Sequence, residues 1–276
     1  MKRLLFPAFV SAAGMLAVAA CDPDLTPHVV PAEGGTEGGG PLVSPESGPS
    51  EEGGPGSEGG PGEGGTDAGP AHKIDGINDF AAGEKLATSS PLYDGYVSWD
   101  DTNLYFGMSG ADVGASTSTR WVLIYVDGNP GNAGSSTGIG YDCLGTCLAQ
   151  KASLPFNAGY HLRWKADGTY TNLQKWDPAA VPAPTWTNVG PISSVDRKGT
   201  FMELSITRAA LGKPTKLKVH MNMLIEQPGA EWTYAAVPST SIPKPPGDGP
   251  NASFTKFYEF DLADRASVPN AYAPKP

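Results

Sequence analysis

The chain has 276 residues, with 29 acids against 19 bases and a formal net charge of −10 at pH 7. Ten of the acids lie between Asp22 and Asp67, where there is no Lys or Arg, so the 204 residues from Lys73 onward carry 19 acids against 17 bases. That near balance, without a basic cluster, excludes the electrostatic footprint of a nucleic-acid binder, and the length suffices for one domain with a sizeable core.

Read from its start, the chain opens with Lys2 and Arg3, an apolar run from Leu4 to Val18, and the small pair Ala19 and Ala20 ahead of Cys21. A basic start, a short apolar run and small residues have the form of a secretory signal, and the run falls short of the ~20 residues of a spanning helix. With Cys directly after the small pair, the segment resembles a bacterial lipoprotein signal. The resemblance implies a signal peptide over 1–20, lipid on Cys21 and attachment to a membrane of the bacterial cell envelope. Residues 21–72 then hold the lipidated Cys and a tract of Gly, Pro, Glu and Ser with almost no large apolar side chains. Such a composition cannot offset the entropy of ordering, and predicts a disordered tether with a span of about 40 Å or more.

From residue 73 to 276 the pattern is all-β. Tyr96–Trp99, a turn at Asp101–Asn103 and Leu104–Met108 read as a hairpin. Arg120–Val126 is apolar on both faces, as in a strand buried on both sides. Asp127-Gly-Asn129-Pro-Gly-Asn132 then reads as turn chemistry, although Asp127 and Asn129 also have oxygens suited to Ca²⁺. Cys143 and Cys147 are expected to form a short disulfide in an oxidising compartment, because nearby His and Cys ligands for zinc are absent. Tyr160–Lys165 alternates as a half-exposed strand, Asp167-Gly168 turns it, and Tyr170–Trp176 returns. Phe201–Ile206 follows, with Met202, Leu204 and Ile206 expected inward and Phe201, Glu203 and Ser205 outward. Thr207 to Gly212 reads as one capped helical turn. Leu217–Ile225 and Phe257–Leu262 complete at least eight strands, which argues an antiparallel β-sandwich of jelly-roll or immunoglobulin type.

Several of these pieces fall in a recognisable order. They are Ile74-Asp-Gly76, Trp99-Asp-Asp-Thr-Asn-Leu-Tyr105, Val122-Leu-Ile-Tyr-Val-Asp-Gly-Asn129, Leu154-Pro-Phe156, Phe201-Met-Glu-Leu-Ser-Ile206, Trp232-Thr-Tyr-Ala-Ala-Val-Pro238 and Phe257-Tyr-Glu-Phe-Asp-Leu262. The order resembles the family 9 carbohydrate-binding modules and their DOMON-type relatives over nearly all of 73–262. The resemblance implies a jelly-roll-like sandwich and structural calcium, for which Asp75 and Asp79 join Asp127 and Asn129 as candidate ligands. It also implies a sugar held between tryptophan rings.

A sugar site needs flat aromatic rings for the C–H faces, with carboxylates, amides or guanidinium groups for the hydroxyls. Trp176 and Trp186 bracket a Pro- and Ala-rich segment read as a loop. Trp232 follows Glu226–Glu231, also read as a loop, with Gln227 and Glu231 as the nearest polar partners. The chain has no Gly-x-Ser-x-Gly elbow, His-Glu-x-x-His, P-loop or dinucleotide fingerprint. The expectation is therefore a non-catalytic module that binds polysaccharide or an envelope glycan. The alternatives are a protein-interaction domain and, through the DOMON likeness, a haem site using His161 or His220 with Met108 or Met221.

Overall fold

A computed structural model describes residues 72–114, 118–128, 133–140, 147–192, 194–242, 251–264 and 267–276. In chain order its strands are β1 (Lys85–Ala87), β2 (Asp94–Trp99), β3 (Asn103–Ser109), β4 (Arg120–Asp127) and β5 (Ser135–Thr137). Next come β6 (Cys147–Leu148), β7 (Ser153–Ala158), β8 (Tyr160–Lys165), β9 (Thr171–Asp177) and β10 (Thr185–Gly190). The last five are β11 (Ser194–Lys198), β12 (Phe201–Thr207), β13 (Lys216–Gln227), β14 (Gly229–Val237) and β15 (Tyr258–Asp261).

These strands form an antiparallel β-sandwich. The smaller sheet runs β1-β2-β3-β12-β11, and the larger runs β10-β9-β8-β4-β13-β14-β6. β15 pairs with the first part of β13, and β5 pairs with β7 as a separate ribbon. All pairings are antiparallel except the short contact of β14 with β6.

Two apolar layers result. Between the sheets pack Val97, Phe106, Leu204, Val122, Ile124 and Met223, among others. On the outer face of the larger sheet, Trp121, Leu123 and Tyr125 pack against Leu154, Phe156 and Phe254. β4 is thus buried on both sides, as its doubly apolar pattern requires.

The structure departs from the sequence reading in three places. Arg163 and His161 of β8 are buried, not half-exposed, because the β5–β7 ribbon and the stretch before β15 cover that face. Glu203 and Phe201 are buried as well. The entering segment His72–Phe80 lies over them, and Glu203 Oε1 accepts hydrogen bonds from the backbone N–H groups of Asp75 (2.8 Å) and Gly76 (2.7 Å). The segment 178–184 is irregular, as expected, but Trp186 is on a strand and the loop expected before Trp232 is a tight hairpin of β13 and β14. Pro228-Gly229 is a two-residue turn joining β13 to β14, with Gly229 at φ 89° in the left-handed region such a turn requires.

The turn after β12 is a single 3₁₀ turn over Arg208–Leu211. Thr207 accepts a side-chain hydrogen bond from the Ala210 N–H, and Gly212 closes it in the left-handed conformation. Cys21, the signal and the tether up to residue 71 lie outside the described residues, as do Asn129 and Cys143, and with Cys143 the expected disulfide.

Candidate functional site

Strand register decides which predicted residues can act together. Trp176 and Trp186 are direct cross-strand partners on β9 and β10, with ring centroids 5.6 Å apart and planes inclined by 69°. From Trp176 the same face continues through Gln174, His161, Tyr125 and Trp121 to Leu224 and Thr233. Alternation places Trp232, next to Thr233, on the opposite face, where it is 37% exposed. The three tryptophans therefore do not form one platform. Glu231 shares the outer face with Trp186 but is fully buried and accepts the Gln150 N–H (2.8 Å) on Oε2, while Gln227 is exposed at the turn.

Trp176 instead lines a cleft of about 270 Å³ at one end of the larger sheet, where β4 ends, β8 begins and β9 ends. Its walls include Asp127, Gly159, Tyr160, Lys175, Trp176 and Pro178. The Trp176 N–H donates to the Gly159 carbonyl (2.9 Å), which fixes the ring beside the start of β8. Lys175 Nζ stands 5.9 Å from the Tyr160 ring centroid, and Lys218 Nζ is 3.8 Å from Asp127 Oδ2. Residues bearing two aromatic rings, an ammonium and a carboxylate thus line one opening at the sheet's end, Trp176 and Asp127 from the outer face and Tyr160 and Lys175 from the face toward the other sheet. In the sequence Asp127 signals only a turn or a calcium ligand, and Tyr160 and Lys175 meet only through the pairing of β8 with β9.

Of the calcium candidates, Asp127 stands at the end of β4, and Asp75 and Asp79 lie in the entering segment. Asp75 takes Lys73 Nζ (2.9 Å) and the Ile77 N–H (3.0 Å), and Asp79 takes His72 Nδ1 (2.9 Å) and the Lys73 N–H (3.1 Å). Among the described residues, no group of three or more His, Cys, Asp or Glu side chains is arranged to hold a metal ion. The entering segment uses these carboxylates to fold back on the smaller sheet. The haem candidates are also separated. Met108 and Met221 belong to the layer between the sheets, whereas His161 and His220 flank Tyr125 on the outer face.

That outer face carries the polar residues that sequence reasoning missed. Arg163 donates to Asn172 Oδ1 (3.0 Å) and to the Gly140 carbonyl (3.1 Å). His161 stacks on Tyr125 at 4.1 Å and meets Trp186 edge-on at 5.7 Å. Burial, reinforced by nearby Arg163, holds the His161 pKa well below the usual histidine range, and burial lowers that of His220 to about 3. The available signal was the polar half of the Tyr160–Lys165 alternation, which reads equally well as a solvated face.

Comparison with known proteins returns no matching family model, no matching curated protein and no matching solved structure.

Proposed function

We propose that this chain is a lipid-anchored envelope protein that presents a non-catalytic, sugar-binding β-sandwich at the end of a flexible tether. The observation that carries the sugar-binding reading is the cleft grouping Trp176 and Tyr160 with Lys175 and Asp127. An aromatic face accepts the apolar side of a pyranose, and the charged groups at its edge read the hydroxyls. An open site of this size has few contacts to offset desolvation of the sugar, so affinity belongs in the millimolar-to-micromolar range.

Affinity electrophoresis of the protein against a panel of soluble polysaccharides tests this. Trp176→Ala should weaken retardation at least about tenfold, equivalent to about 1.4 kcal/mol. Asp127→Asn should weaken it less, and Trp232→Ala, on the opposite face, should leave it unchanged. Retardation by no polysaccharide, or retardation that survives Trp176→Ala, overturns the reading.

Anchoring rests on Cys21 following its apolar run and small-residue pair. Mass spectrometry of the mature N-terminus should find a lipid-modified Cys21; an intact Met1 or an unmodified Cys21 would sink it. In that oxidising location Cys143 and Cys147 are proposed to pair, and thiol labelling of the native protein should then find neither reactive.

A further inference from the structure

The larger sheet ends on β10, and among the described residues no strand pairs with its far side. Register shows which backbone groups this leaves open. The Trp176 N–H donates to the Gly159 carbonyl (2.9 Å) and the Lys165 N–H to the Tyr170 carbonyl (2.9 Å). Alternation therefore turns the backbone of Asn172, Gln174 and Trp176 toward β8 and that of Lys175 and Asp177 toward β10. Thr187 and Thr185 oppose Lys175 and Asp177 and take up those bonds. The N–H and C=O groups of Trp186 and Asn188 consequently point away from the sheet.

An open edge is a template for another strand, and natural sheets blunt theirs with charge or shortness. The other sheet ends follow that rule. β11 carries Asp196, Arg197 and Lys198 within five residues, and β1 and β6 are three and two residues long. β10 has six residues and no charged side chain. Exposed apolar residues flank it at both ends. Val181, 92% exposed, stands in the Pro- and Ala-rich tip 178–184 before it, and Val189, 53% exposed, leads to the exposed Pro191 after it.

We propose that the outer edge of β10 is a self-association surface, on which two copies of this chain pair antiparallel about a two-fold axis at Thr187. A second copy fits because an uncharged strand meets itself without repulsion. Antiparallel pairing also carries the apolar tip of each copy alongside Val189 and Pro191 of the other, so both exposed stretches are covered. The open backbone groups fix the axis. Centred on Thr187, each Trp186 exchanges both backbone hydrogen bonds with Asn188 of the other copy. Centring on Trp186 would set Asn188 against Pro184, which has no N–H. Centring on Asn188 would set Trp186 against Gly190, whose N–H already donates to Asn188 Oδ1 (2.8 Å). A two-fold contact closes on itself, and the blunted β11, β1 and β6 edges stop further growth, so the product is a dimer and not a fibre. Two short strands bury less than the about 1,200 Å² of stable interfaces, so the association is weak and depends on concentration. The pairing is independent of the sugar-binding reading.

Sedimentation of the full chain from about 1 to about 500 μM is the first test, with Cys21→Ser so that no attached lipid drives association. The average mass should rise toward that of a dimer. Thr187→Lys sets two ammonium groups against each other at the axis and should weaken the dimer at least about tenfold with native circular dichroism. The second test is oxidative crosslinking. Opposed residues of a non-hydrogen-bonded pair lie within disulfide reach, so Thr187→Cys should yield a covalent dimer beyond any seen without the substitution. Ser194→Cys, on β11, should not. A monomer at every concentration overturns the proposal and leaves the edge to a strand of a different protein. Association that survives Thr187→Lys, or crosslinking no faster through Thr187→Cys than through Ser194→Cys, overturns β10 as the surface. If Thr187→Lys does not fold, the two crosslinking rates decide the question.

Discussion

His161 and His220 flank Tyr125 across three adjacent strands, and burial keeps both rings neutral. In the unfolded chain a histidine takes up a proton below about pH 6.5, whereas folded His220 does so only near pH 3. Between those values the unfolded state binds more protons, so stability falls as pH falls, by about 1.4 kcal/mol per pH unit for each such histidine. His161, also lowered, adds to the same slope. The prediction is a urea midpoint that declines steeply from about pH 6.5 to about pH 5, a range where ordinary carboxylates stay mostly ionised. His161→Phe should roughly halve that slope, because the ring that fails to protonate is gone and an apolar ring of similar shape remains against Tyr125. An unchanged slope would show that His161 is not held neutral in the fold. Nothing in the residues Tyr160–Lys165 alone announced this acid sensitivity, since a polar residue on an alternating strand is ordinarily solvated.

At the scale of single elements, turns are where local chemistry speaks most directly. Asp167-Gly168 between β8 and β9 and Thr207–Gly212 after β12 were both legible, because a left-handed glycine and a capping hydroxyl serve the backbone whatever packs around them. Gly76 and Gly168 have nearly equal φ, 75° and 77°, but differ in surroundings. A Cβ on Gly168 meets nothing within 4 Å, whereas one on Gly76 would stand 2.7 Å from the backbone of Arg197 and Lys198. Gly168→Ala should therefore cost about 1 kcal/mol, the left-handed penalty alone. Gly76→Ala should cost about 3 kcal/mol or more, since the backbone beneath cannot yield and the Gly76 N–H also loses its place on Glu203. Chemical denaturation of the two variants checks the order, and equal losses would refute the close packing of the entering turn. β10 is silent in the sequence for the opposite reason. Thr185–Gly190 is half-exposed at the sheet edge, so no face of it is apolar enough to signal a strand.

For the molecule as a whole, His72, just before the expected boundary at Lys73, already packs against the domain. The His72 ring is buried, with Nδ1 on Asp79 (2.9 Å) and Nε2 on Glu84 (3.1 Å), and it stacks on Phe80 at 4.4 Å. Glu84 also takes a hydrogen bond from the Ser98 hydroxyl, which ties the entry of the chain to β2. Burial alone would lower the His72 pKa, but the hydrogen bonds to Glu84 and Asp79 outweigh it and raise it. Deleting residues 22–68, which lack core-forming side chains, should leave the melting temperature unchanged. His72→Ala in the full chain should lower stability by about 2 kcal/mol, because it takes a hydrogen-bond partner from the buried Glu84 carboxylate and removes the ring packed on Phe80. A drop caused by the deletion itself would show that the proposed tether docks on the domain.

The sequence by itself determined the all-β sandwich, the strands that carry its core and the turns that join them. Those features follow from alternation, β-branched and aromatic content and glycine positions, all written in neighbouring residues. It also determined the composition of the leading segment, and so the expectation of a tether. Only the tertiary structure decided which polar and aromatic residues meet. Register, a long-range property, paired Tyr160 with Lys175 beside Trp176 and sent Trp232 to the other face, while the fold-back of the entering segment tied Asp75 to Lys73 and Asp79 to His72. The covering of one sheet face by a ribbon from elsewhere in the chain turned His161, Arg163 and Glu231 from apparent surface into interior. Alternation reports that a strand has two faces; what covers each face is set by segments distant in sequence.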